Sequence, residues 1–108
     1  MDAEAFEILS KKKTFISNIS RGKIIKQDDL IAALRAGKLR GAALDVATPE
    51  PLPSDSELWD VPNLILTPHI SGLSKSYTDR SFQILSANLT KIEKGDKLFN
   101  VVDRKRGY

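Results

Sequence analysis

Residues 14–46 read "TFISNISRGKIIKQDDLIAALRAGKLRGAALDV", and this stretch decides the fold. "TFISNI" (Thr14–Ile19) is a β-branched and aromatic run of strand length. "QDDLIAALRAGK" has the marks of a helix. Asp28 and Asp29 sit in a first turn, where carboxylates suit the helix dipole. Leu30, Ala33 and Leu34 share one face, and Gly37 fits the stop. "GAALDV" (Gly41–Val46) is a second short apolar run. Strand, helix, strand in so few residues predicts a parallel pair joined by a helical crossover.

The flanks extend the same pattern. Upstream, Asp2 is a good N-cap for "AEAFEIL", with Phe6 and Leu9 three apart on one face. Downstream, Ala47–Pro62 carries four of the five prolines and predicts an extended loop, with one helical turn around Glu57–Trp59. "NLILT" (Asn63–Thr67) is a third strand, and Pro68, lacking an N–H, fits just past its end. A long helix starts from Ser74, with Tyr77, Ile84, Leu85, Leu89 and Ile92 at helical spacing and Gly95 as its stop. The expected class is therefore α/β, with an open parallel sheet of about three strands.

Composition bounds the rest. The chain has 108 residues, 41% apolar and 29% charged, as befits one small globular domain. The net charge is +3, and basic residues concentrate in Lys11–Lys13 and in the tail Asp103–Tyr108. No aromatic residues interleave these charges as single-strand binders require, so they read as a solvated loop and tail, not a nucleic-acid surface. Without cysteine there is no disulfide and no thiolate metal site, and no metal is expected. No stretch approaches the ~20 apolar residues of a membrane span. The N-terminus is acidic, unlike a signal peptide, so the expected location is cytoplasmic.

Ligands of an open parallel sheet lie beyond the carboxyl ends of its strands. Arg21 follows the first predicted strand. Asp45 closes the second, with Glu50 beyond it, and His69, the only histidine, follows the third. A guanidinium can grip a carboxylate with two parallel bonds. An imidazole can move a proton to or from a hydroxyl near neutral pH. A carboxylate beside an imidazole favours its protonated form. Together these groups suit the reduction of a ketone next to a carboxylate.

Five motifs occur in order: Asn-x-x-Arg-Gly (Asn18, Arg21, Gly22), Ala-Leu-x-x-Gly (Ala33, Leu34, Gly37), Leu-Asp-Val (Leu44–Val46), Glu-Pro (Glu50, Pro51) and Thr-Pro-His (Thr67–His69). With them the chain resembles the D-isomer-specific 2-hydroxyacid dehydrogenases, which include glyoxylate/hydroxypyruvate reductases and phosphoglycerate dehydrogenases. The tail "FNVVDRKRGY" is similar to one found in part of that family. The resemblance implies the C-terminal portion of a Rossmann-type doubly wound sheet followed by a long C-terminal helix. It divides the chain into a partial NAD(P)-binding domain, residues 1–72, and a helix and tail, residues 73–108, that packs on a substrate domain.

The resemblance also implies roles. Arg21 binds the substrate, His69 is the general acid/base and Glu50 is its carboxylate partner. Ile19, Ser20, Arg21, Asp45, His69 and Gly72 contact the nicotinamide of NAD or NADP. A glutamate at position 50, where the related formate dehydrogenases carry glutamine, favours a hydroxyacid substrate. The family's Gly-x-Gly-x-x-Gly turn is absent from the sequence. The expectation is thus a truncated, C-terminal third of such an enzyme. It would take a small 2-keto or 2-hydroxy acid, with no nucleic-acid or membrane partner, and form a homo-oligomer or pair with a full-length relative.

Overall fold

The computed structural model describes residues 1–107. Tyr108, the last residue of the predicted tail, lies outside the described residues. The elements run α1 (Ala3–Ser10), β1 (Phe15–Asn18), α2 (Gln27–Arg35), β2 (Gly41–Leu44), β3 (Leu64–Leu66) and α3 (Tyr77–Lys94). Short 3₁₀ turns occupy Gly22–Ile24 and Glu57–Asp60, the second of them where one helical turn is expected. The first has no counterpart in the sequence reading.

Several helix ends have a local reason. The Asp2 carboxylate accepts from the Ala5 N–H and caps α1. Lys26 gives α2 no side-chain cap, but Asp28 and Asp29 lie in its first turn. Gly37 and Gly95 both take positive φ just past α2 and α3.

The chain divides into two compact units, Met1–Ser71 and Gly72–Tyr108. In the first, β1, β2 and β3 form one parallel sheet in that order. The register sets Ile16 opposite Ala42 and Asn18 opposite Leu44, then Ala42 opposite Leu64 and Leu44 opposite Leu66. These residues point to one face, since side chains alternate along a strand. Ile16, Ala42 and Leu44 are buried there with Phe6, Leu30, Leu34 and Leu58.

The other face is bare. Phe15 and Ile65 are 40% and 58% exposed, and the Arg40 guanidinium lies 5.9 Å above the Phe15 ring. A doubly wound sheet carries helices on both faces; within this unit, the core lies on one. In the second unit α3 carries no buried residue. Its Asn88 side chain bonds the Phe99 N–H and C=O, tying the following segment back to the helix.

Candidate active site

All three strands end at one rim, and the chain just beyond each end carries the predicted residues. At the end of β1, Asn18 is buried and shapes the turn. Its Nδ2 donates to the Arg21 carbonyl at 3.0 Å and its Oδ1 accepts from the Ser20 N–H at 3.2 Å. Ile19 is left 65% exposed. The Arg21 guanidinium donates to the Ser20 carbonyl at 2.8 Å. A guanidinium has five N–H donors, so the others stay available.

Gly22 joins this loop to the next. A Cβ there would meet the Ala47 carbonyl oxygen at 1.9 Å and its carbon at 2.3 Å. Only glycine allows that approach. The loop after β1 thus rests directly on the loop after β2.

The loop after β2 presents two carboxylates with different duties. Glu50 Oε1 accepts from the Ala47 N–H at 2.8 Å. Glu50 Oε2 lies 2.8 Å from His69 Nδ1. The Glu50 carboxyl is held below its ordinary value, chiefly by the bond from His69 and then by the Ala47 amide. Arg21 adds a weaker pull in the same direction, as expected of charges gathered at one rim. Glu50 is therefore ionised at neutral pH and accepts, which assigns the Nδ1 proton to His69. Nε2 has no hydrogen-bond partner among the described residues and remains for another molecule. The Thr48–Pro49 and Glu50–Pro51 bonds are both cis.

Asp45 is only 4% exposed. Its Oδ1 accepts from the Thr67 hydroxyl and from the Ile70 N–H at 2.9 Å, and its Oδ2 from the Ser71 N–H at 2.8 Å. The Thr67 bond is the main reason its carboxyl lies far below the ordinary value, against the opposing effect of burial. Beside the pair runs a cleft of about 740 Å³, walled by residues including Val46, Leu52, Trp59 and Leu66, with Glu50 and His69 in its lining.

The structure thus brings Arg21, Asp45, Glu50 and His69 to one rim, with Ile19 and Ser20 on the same turn. Gly72 opens the second unit. Sequence reasoning passed over Asn18 and Thr67 as site residues. The signal was present: each is a short polar residue within two positions of a proposed functional one, and such side chains readily make hydrogen bonds close to the backbone.

A family model described as "D-isomer specific 2-hydroxyacid dehydrogenase, NAD binding domain" matches residues 1–71, and the chain belongs to this family. It is 42% identical over 94 residues to Glyoxylate/hydroxypyruvate reductase A of Salmonella newport (strain SL254), a match covering 87% of this chain and 30% of that one. The chain therefore spans under a third of the length of the curated relatives it matches. Among solved structures it is similar to a D-isomer specific 2-hydroxyacid dehydrogenase from Xanthobacter autotrophicus Py2 in complex with NADPH and MES. That match has 37% identity and a TM-score of 0.86, over 100% of this chain and 43% of that one. The NADPH-dependent glyoxylate/hydroxypyruvate reductase from Sinorhizobium meliloti, in complex with NADP and sulfate, matches with 33% identity and a TM-score of 0.87, over 100% of this chain and 35% of that one. The three parallel strands and following helix are those expected of the Rossmann-type portion.

The donor set at the rim fits the nicotinamide end of NAD(P). Ile19 is apolar and exposed, the turn after β1 has backbone carbonyls, and the second imidazole nitrogen has no hydrogen-bond partner among the described residues. For the pyrophosphate, a glycine-rich turn at a helix N-terminus is the usual holder, and the 108 residues contain no Gly-x-Gly-x-x-Gly.

Proposed function

We propose that this chain carries the acid–base and substrate-binding part of an NAD(P)-dependent oxidoreductase that interconverts a 2-keto acid, such as glyoxylate or hydroxypyruvate, with the D-2-hydroxy acid. The single observation that carries the reading is the His69–Glu50 contact at 2.8 Å on the rim where Arg21 also emerges. Arg21 grips the substrate carboxylate with its fork. When bound, the reduced nicotinamide supplies the hydride to the carbonyl carbon. His69 Nε2 gives its proton to the oxygen, and takes one back in the oxidising direction. Glu50, ionised, keeps Nδ1 as the donor side of the ring, so that the proton exchanged with the substrate oxygen is the one on Nε2. Ile19, Ser20, Arg21, Asp45, His69 and Gly72 line the nicotinamide end in this reading. Residues 1–72 serve the cofactor, and 73–108 pack on a substrate domain. A cytoplasmic location and a homo-oligomer complete it.

A second reading is favoured by the bare apolar residues Phe15 and Ile65 and by the uncovered face of α3. Here the chain has no turnover alone and pairs with a full-length relative.

One experiment separates them. The purified chain is mixed with NADPH and glyoxylate, alone and with a full-length relative, and the loss of nicotinamide fluorescence is followed. Turnover that falls by about 10²–10⁴-fold in His69→Ala, with NADPH binding kept, supports the first reading. Turnover unaltered by His69→Ala removes His69 from the mechanism. No saturable NADPH binding by the chain alone, with co-elution of the relative, supports the second.

A further inference from the structure

His69 sits in a backbone conformation that is uncommon outside glycine. Its φ is +55°, in the left-handed region that an L-residue other than glycine seldom adopts. Something around it must hold it there.

The backbone N–H groups of residues 67–71 can be accounted for in full. The Thr67 N–H continues the sheet to the Leu44 carbonyl at 3.0 Å. Pro68 has none. The His69 N–H closes back on the Thr67 carbonyl at 3.1 Å. The Ile70 and Ser71 N–H groups both end on Asp45, as does the Thr67 hydroxyl. These contacts straddle His69, two residues before it and one and two residues after. Glu50, the ring's partner, is anchored to the Ala47 N–H, two residues from Asp45. Both ends of the His69–Glu50 bond are therefore tied to the end of β2.

We infer that Thr67 is a positioning residue. Its hydroxyl, bonded to Asp45 across 22 residues of sequence, completes a clamp that holds His69 left-handed with Nδ1 on Glu50 and Nε2 left without a partner among the described residues. Asp45, which the family resemblance puts beside the nicotinamide, thereby has a second duty toward the imidazole. The value of that duty to the reaction rests on the reading of His69 as the acid/base. The clamp itself does not, and it can be measured with neither cofactor nor substrate.

The test uses the full 108-residue chain, in which His69 is the only histidine and so gives one set of ring signals. Nitrogen NMR of the ring reports the tautomer, and amide exchange reports the clamp. Thr67→Val keeps the shape and removes the hydroxyl; Thr67→Ser keeps the hydroxyl. In Thr67→Val the Ile70 and Ser71 amides exchange tenfold faster or more, and the single Nδ1–H tautomer gives way to a mixture. Amides of β2 stay as in the parent chain, and Thr67→Ser restores both readouts. Unchanged ring signals and exchange in Thr67→Val overturn the inference. So does a Thr67→Ser chain that behaves like Thr67→Val, since the methyl group would then matter and not the hydroxyl. Should Thr67→Val fail to fold, the parent chain decides. Slow Ile70 and Ser71 amides with one His69 tautomer uphold the clamp; fast exchange or mixed tautomers refute it. Failure of turnover with an intact clamp would count against the functional reading alone.

Discussion

The two units use apolar residues in opposite ways. In Met1–Ser71 Phe6, Leu30 and Leu58 are each at most 1% exposed, and the core they share seats three strand ends on one rim. In Gly72–Tyr108 Tyr77, Leu85, Leu89 and Ile92 are all more than half exposed. Helical spacing alone is the same signal in both, since an amphipathic stripe records only that a face is apolar. What covers the stripe is a tertiary matter. Charge divides likewise: residues 1–71 hold nine basic and ten acidic side chains, residues 72–108 eight and four, so the basic excess lies in the second unit.

The contrast predicts unequal responses to substitution. Leu30→Ala removes a side chain from the middle of the first core and should cost about 2–5 kcal/mol, read by urea unfolding. Gly22→Ala should cost less, roughly 1–3 kcal/mol, because the Ala47 backbone must retreat from the new methyl group. It should also separate the Arg21 turn from Glu50, seen as a change in the His69 ring signals.

Acid should act on the first unit through its carboxylates. Asp45 and Glu50 have folded values below their ordinary 3.8 and 4.5, so their bonds stabilise the fold above those values. That contribution is lost as pH falls through the depressed values. Unfolding midpoints should drop as pH is lowered below about 4.5, and Asp45→Asn or Glu50→Gln should flatten the slope. A slope unaltered by both would mean other groups carry the acid response.

Smaller effects belong to the second unit. Asn88→Ala should loosen the Phe99 amide at a cost of about 0.5–1.5 kcal/mol, visible as local exchange. Leu89→Ala should stay within about 0.5 kcal/mol in the chain alone. A Leu89→Ala cost like that of Leu30→Ala would show that the α3 face is covered in solution.

Much of this was legible beforehand. The order of helices and strands follows from periodicity, and the Asp2 cap and Gly95 stop from backbone chemistry. The rim residues follow from the rule that chemistry sits beyond strand ends, joined to a family resemblance. Other features were not legible. Phe15 and Ile16 are equally apolar, yet one is exposed and the other buried, because which sheet face a helix covers is not written in either residue. The bonds from Asp45 to Thr67, Ile70 and Ser71 cross 22 to 26 residues, beyond any local pattern. The Gly22 contact with Ala47 depends on two loops meeting, and the left-handed φ of His69 on a clamp made elsewhere.

The central claim is that Arg21, Glu50 and His69 act on one small molecule. Titrating the chain with glyoxylate while following the His69 ring signals tests it most directly. The expected result is a saturable shift at Nε2 that Arg21→Ala abolishes while leaving the Nδ1–Glu50 bond intact. A ring that does not respond, or that responds equally in Arg21→Ala, would contradict it.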